Sequence, residues 1–213
     1  MEIYLSTAYL APVEYYAKLI SHERVFIESS DNYIKQTYRN RCSIVAANGI
    51  MPLSIPIEKP QSSKCLSRDI RIAEHGHWRH LHWNSIVSAY NSTPFFEYYE
   101  DELRPFYEKK FDFLFDYNEQ LRELICSWIG IDTSHIRYTH DFKVEFAGNE
   151  LDFREVIHPK KDWQSLDPYF QAKPYYQVFS GRFGFVPNQS IVDLVFNMGN
   201  ESILVLEKSA QDA

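Results

Sequence analysis

The sequence predicts an α/β fold, a mixed sheet with an N-terminal β-α-β unit, an edge hairpin and a helical middle segment. Three observations predict it. The runs "EIYLS" and "RVFIES" have strand length, and the "VEYYAKLI" between them sets Val13, Tyr16, Ala17 and Ile20 on one helical face. Asn48-Gly49 parts two β-rich runs, which is a hairpin signal. From residue 78 to residue 130, apolar residues recur at helical spacing.

Taken in order, residues 2–6 form a short buried strand, and Pro12 suits the first turn of the following helix, where its missing N–H costs nothing. The strand "RVFIES" then closes a right-handed parallel unit. The mouth of such a unit, after its first strand, is where α/β proteins place ligands. Ser6, Thr7 and Tyr9 are expected there, beside the positive end of the helix. In "CSIVAANGIMPLSIPI", Pro52 and Pro56 assign the second hairpin strand to an edge. Gln61 to Ser67 reads as a polar connection.

"WRHLHWNSIVSAY" reads as a helix with Trp83, Ile86, Val87 and Tyr90 inward. Thr93-Pro94 fits a cap and first position for the next helix, which runs to Pro105. A third helix carries Tyr117, Leu121, Leu124, Ile125 and Trp128, and Gly130 stops it. "HIRYTHDF" alternates as a strand does. Residues 147–187 lack periodicity and read as a long irregular loop. In "SIVDLVFNMG", Ser190 and Asp193 have capping-box spacing and Gly199 is a terminator. "EKSAQDA" reads as a frayed tail.

The chain has 213 residues, 45% of them hydrophobic, enough for one core, so a single domain over 1–213 is expected. A net charge of −7 argues against nonspecific nucleic-acid binding, yet leaves room for a small anionic substrate held by local positive charge. The 3 cysteines make no CxxC pair, which points to a reducing, cytoplasmic setting. "MEIYLSTAYLAP" lacks the layout of a signal peptide, and no apolar run reaches membrane-spanning length, so membrane insertion is not expected.

The stretch "NYIKQTYRNRC" carries three cations and no acid. If it is extended, Tyr33, Lys35, Thr37, Arg39 and Arg41 share one face. Two readings stand. Either Arg39 and Arg41 clamp a phosphate or carboxylate, with Lys35, Asn32, Gln36 and Asn40 assisting, or the cations line a solvated edge and pair with surface acids for about 0–1 kcal/mol each. In "EHGHWRHLHW", His77 and His80 could share a helix face and serve as general acid-base groups. The absence of HExxH and the interleaved aromatics argue against a metal there. The aromatic run from Thr93 to Tyr117 reads as core and cover rather than a stacking platform. Ser190 lacks a G-x-S-x-G elbow and reads as a cap rather than a nucleophile. Asp193 either orders Arg39 or Arg41 from behind, beside Asn197, or caps its helix. "DFREVIHPK" has the composition of a substrate-covering loop.

"YLAPVEYYAKL", "NYIKQTYRNR", "WRHLHWNSIVSAYNSTPFFEYY" and "GFVPNQSIVDLVFNMG" together resemble the WbqC-like family, in that family's order, from about residue 9 to residue 199. Members are small bacterial proteins often encoded beside surface-polysaccharide genes, including those for O-antigen. The chain departs from the usual pattern at Ser6-Thr7, Leu10-Ala11-Pro12, Glu14 and Ser29-Ser30, positions at the expected mouth.

The resemblance names a family of unestablished activity; its setting, the open α/β mouth and the cationic cluster together point to an enzyme that adds an acyl or aminoacyl group to a nucleotide-linked amino sugar, or otherwise modifies that sugar. Lys35, Arg39 and Arg41 would hold the phosphates, and His77 or His80 would move the proton. Asp193 would support the site, with Ser6, Thr7, Tyr176 and Gln177 on the acceptor side. No cofactor and no metal are expected. The alternative is a non-catalytic scaffold for glycan-assembly enzymes; a zinc hydrolase built on the histidines ranks last.

Overall fold

The computed structural model describes residues 1–60, 62 and 64–210. In chain order, β1 (Glu2–Ser6), α1 (Val13–Ser21) and β2 (Arg24–Glu28) form the opening unit. The hairpin β3 (Arg41–Ala46) and β4 (Gly49–Ser54) follows. The helices α2 (Trp78–Tyr90), α3 (Phe96–Leu103), α4 (Pro105–Glu108) and α5 (Leu114–Ile129) come next. Then come β5 (Ile136–Tyr138), β6 (Glu150–Asp152), α6 (Trp163–Leu166), α7 (Ser180–Phe183), α8 (Ile191–Met198) and α9 (Ser202–Ser209).

The expected α/β architecture resolves into a four-stranded parallel sheet, in the order β5-β2-β1-β6, and a separate antiparallel hairpin. Glu2 stands opposite Arg24 and Ser6 opposite Glu28, so β1 and β2 end level. On the other side of β1, Tyr4 stands opposite Asp152. Parallel strands need cover on both faces, and Ile3, Leu5, Val25 and Ile27 are fully buried. Each such side chain contributes about 1.5–3 kcal/mol. Helix α1 packs against α8 and α9, and Ile191, Val192, Leu194, Val195 and Phe196 make α8 apolar nearly all round. A helix of that kind belongs inside a core. Among the described residues, no helix is long and apolar enough to cross a membrane.

Several local expectations are corrected. Residues 32–40 are not extended; turns at Lys35-Gln36 and Tyr38-Arg39, with Gln36 at φ 62°, break the alternation that would have put the cations on one face. Thr37 Oγ1 donates to the Ile34 carbonyl and fixes the first turn. The hairpin turn is Ala47-Asn48, with Gly49 (φ 109°) just after it, because Ala46 pairs with Gly49. Helix α3 starts at Phe96, since Thr93 Oγ1 donates back to the Tyr90 carbonyl instead of capping forward. Helix α2 is rotated from its expected face, with Trp78, His82, Ile86, Ala89 and Tyr90 buried.

Ser190 precedes α8, but its hydroxyl donates to the Leu10 carbonyl at 2.8 Å, so no capping box forms. The tail is helical to Ser209 because Val205 and Leu206 are buried; its last three residues, 211–213, lie outside the described residues, as do positions 61 and 63 of the polar connection. The region 147–187 contains β6, whose three residues are too few to show a period.

Candidate functional site

Strand β2 follows β1 on one side, and β6 arrives much later on the other. The carboxyl end of β1 is therefore a topological switch point, the usual ligand crevice of an open parallel sheet. Ser6 ends β1. Its hydroxyl donates to the Arg154 carbonyl at 2.9 Å and accepts from Arg39 Nη2 at 2.7 Å. The next residue, Thr7, donates to Glu119 Oε1 at 2.8 Å, and Glu119 in turn holds Arg122 Nε at 2.8 Å.

Arg39 is only 2% exposed. Its Nη2 also contacts Asp31 and, at 2.7 Å, Glu155 Oε1. Burial opposes its charge, but the two carboxylates outweigh that and raise its pKa. Arg39 is thus internally paired, and the expected two-guanidinium clamp is not formed. Arg41 stands on β3 and donates from Nε to Ser54 Oγ at 3.1 Å across the hairpin.

A second arginine takes over much of the crevice. Arg154, just past β6, donates from Nη1 to the fully buried Glu28 at 2.9 Å and chelates Asp152 through Nε and Nη2, both at 2.8 Å. Glu28 also accepts from Thr139 Oγ1 at 2.6 Å and from the Ser30 amide at 2.9 Å. For Asp152, burial opposes ionisation, yet the Arg154 hydrogen bonds win and hold its pKa below the ordinary carboxylate value.

Beside this network lies a groove of about 300 Å³, lined by Asp31, Asn32, Ile34, Phe142, Asp152, Arg154 and Glu155. The Arg154 guanidinium sits 4.5 Å from the Phe142 ring centroid. Three carboxylates face one arginine there, with Arg39 behind them. The groove therefore favours ligand groups that donate, such as ammonium and hydroxyl, over a bare phosphate. On the inner side of Arg39, a cavity of only about 10 Å³ touches Ser6, Tyr38 and His158, room for about one water.

Of the remaining expected site residues, Asn32 lines the groove, Lys35 is exposed, and Asn40 is spent on the Ile55 carbonyl at 2.8 Å. Tyr9 is not at the mouth. It is fully buried, bonded to His82 Nδ1 at 3.0 Å and Tyr107 at 2.9 Å. His77, just before α2, and His80, on it, are exposed in a cleft of about 330 Å³ with Trp78, Trp83 and Tyr107, whose lining does not include Arg39. Asp193 contacts neither Arg39 nor Arg41. It accepts from Tyr90 (3.0 Å), Tyr175 (2.7 Å) and Gln177 Nε2 (2.7 Å), and burial raises its pKa despite them. Asn197 accepts from the Val178 amide at 3.1 Å, so Asp193, Gln177 and Asn197 pin the 175–178 segment to α8, while Tyr176 points outward. Among the described residues, no group of three or more His, Cys, Asp or Glu side chains is placed to hold a metal ion.

Sequence reasoning missed Asp31, Arg154 and Glu155 as partners of Arg39 and Ser6, and Glu28 and Asp152 as partners of Arg154. Their signal was the charge-dense "DFRE" beside His158, together with the acids that flank Ser29-Ser30.

The family model of the WbqC-like protein family matches residues 7–205. The chain is also similar to an uncharacterized protein of Mycobacterium tuberculosis, Rv1507c, at 26% identity over 216 residues, covering 88% of this chain and 89% of that one. No solved structure matches it.

Proposed function

Because the chain belongs to the WbqC-like protein family, we propose that it binds a nucleotide-linked amino sugar in the Asp31–Asp152–Glu155 groove and transfers an acyl or aminoacyl group to the sugar amine, in the cytoplasmic assembly of surface polysaccharide. One observation carries the reading: three carboxylates line a groove at the switch point with one arginine among them, and Asp31 Oδ1 has no donor, which suits a sugar's ammonium and hydroxyl groups. The Phe142 ring gives a sugar ring an apolar wall. In the transfer, an N–C bond forms as the bond between acyl group and leaving group of an activated ester or thioester breaks. The bound ammonium first gives one proton to a groove carboxylate, for which Glu155, 42% exposed at its side chain, is the accessible base; the second N–H proton leaves with the departing alcohol or thiol. Arg39 and Arg154 fix the carboxylates in place and do not hold the phosphates.

Titration calorimetry with UDP-glucosamine tests this. Asp152→Asn is expected to weaken binding about ten-fold, and N-acetylation of the probe to weaken it similarly, the size of one charge-assisted hydrogen bond. Failure of the wild type to bind any amino sugar, free or nucleotide-linked, overturns the reading. A second reading, a non-catalytic scaffold for glycan-assembly enzymes, is supported by the engagement of Arg39 Nη2 with Ser6, Asp31 and Glu155 inside the protein. It requires copurification with another chain and no thermal shift with nucleotide-sugars.

A further inference from the structure

A separate cleft of about 240 Å³ opens where the start of α1 meets residues 158–163 and 187–189. Asn188 builds its floor. In the left-handed conformation (φ 52°), it accepts from the Glu14 amide and donates to Glu14 Oε2, both at 2.9 Å. Gln189 lines the same cleft and is only 8% exposed. Its Nε2 donates to the Pro187 carbonyl at 2.9 Å, which orients the amide and leaves Oε1 a buried acceptor with no donor. A buried acceptor without a donor is costly to the fold, so an O–H or N–H supplied by a ligand is favoured at this atom.

The opposite wall supplies the complement. His158 Nδ1 accepts from the Lys160 amide at 3.0 Å, so the neutral ring carries its proton on Nε2, a donor. Burial lowers the His158 pKa, with Lys161, Lys160 and Arg39 adding to that against Glu155, so the ring is neutral near pH 7. Tyr38 and Trp163 add aromatic faces and Ile50 with two prolines adds apolar contacts, while Glu14, Ser43, Lys161 and Asn188 keep the lining predominantly polar. A small wall of rings with one buried acceptor and one fixed donor suits a neutral hydroxyl-bearing ring.

We propose that this cleft is a second small-ligand site, taking an uncharged monosaccharide-sized polyol whose hydroxyl donates to Gln189 Oε1. Tyr38 and His158 also line the one-water cavity beside Arg39, while the cleft and the carboxylate groove have no lining residue in common, so the two sites are separate. The inference does not depend on what fills the carboxylate groove.

Saturation-transfer NMR with N-acetylglucosamine and glucose as probes tests it. Transfer is expected in the wild type and in Asp152→Asn, and at least a five-fold weaker response in Gln189→Leu. Ser43→Trp, which fills the cleft from β3, checks the same site from another wall. No transfer to either probe in the wild type overturns the proposal. So does full transfer in a folded Gln189→Leu variant. Loss in Asp152→Asn with retention in Gln189→Leu assigns the probe to the carboxylate groove and overturns it equally. An amino-sugar response that depends on Asp152 alone leaves the groove reading standing while the cleft proposal falls.

Discussion

Arg154 reaches Glu28 Oε2 at 2.9 Å across the end of β1, tying together two strands that β1 keeps apart in the sheet. Glu28 is fully buried, so its charge has been taken out of water and is repaid only by its partners. Arg154→Ala strands that carboxylate. The expected loss is about 3–5 kcal/mol of unfolding free energy. Urea denaturation reads it directly, and an unchanged midpoint would show the pair to be dispensable.

Arg39 is the second such test. Its three contacts all come from one terminal nitrogen, and Asp31 is itself buried. Arg39→Ala is expected to destabilise by about 3–5 kcal/mol, where a solvent-facing ligand clamp would lose affinity and keep its stability. Arg39→Lys keeps one charge but loses the planar fork, and is expected to recover part of the difference. A variant as stable as wild type would return Arg39 to the role of a free clamp.

Glu14 gives a pH-dependent prediction. Burial, above all, pushes its carboxyl from 4.5 up to about 7; Asn188 opposes this, Asp167 adds to it and Lys18 counters. Asp167 is paired with Lys18 Nζ at 2.7 Å, whereas Glu14 Oε1 has no donor, as expected of a carboxyl that keeps its own proton. Between pH 4.5 and 7 the native chain keeps a proton that the unfolded chain has released. The stabilisation is thus complete below about 4.5 and is lost as pH rises through 7. Glu14→Gln carries the donor permanently. It is expected to flatten this slope and to exceed wild type at pH 8 by about 2 kcal/mol, measured as the difference between thermal unfolding at pH 5 and at pH 8. An identical slope in the variant would place the proton elsewhere.

The elements legible in the sequence were those with a period long enough to repeat. The face of α5, with Gly130 at φ 72° closing it, and the β1-α1-β2 unit both stand as read. Ser6 was picked out by its place after the first strand and Arg39 by its cationic stretch, and the structure brings the two within 2.7 Å. Their partners were not picked out, for a physical reason: Arg154 and Glu155 follow a three-residue strand whose place beside β1 is fixed by pairing across almost the whole chain, and no local pattern encodes that. Asp193 shows the opposite error. Its spacing from Ser190 fits a cap, but the Leu10 carbonyl captured the serine hydroxyl, and Tyr90, Tyr175 and Gln177 captured the carboxylate. The cations of residues 35–41 failed as a stripe because Gln36 turns the backbone left-handed.

The first strand made is also the inner one, and Glu2 must wait for Glu150 before its open side is closed. A nascent chain leaving the ribosome can pair β1 with β2 early, yet it carries a bare strand flank until most of the polypeptide has emerged. The crevice is built at that last-closed seam. A translation pause or truncation before residue 150 would therefore release a chain whose central strand is open along one side, exposed to capture by chaperones or by its own copies.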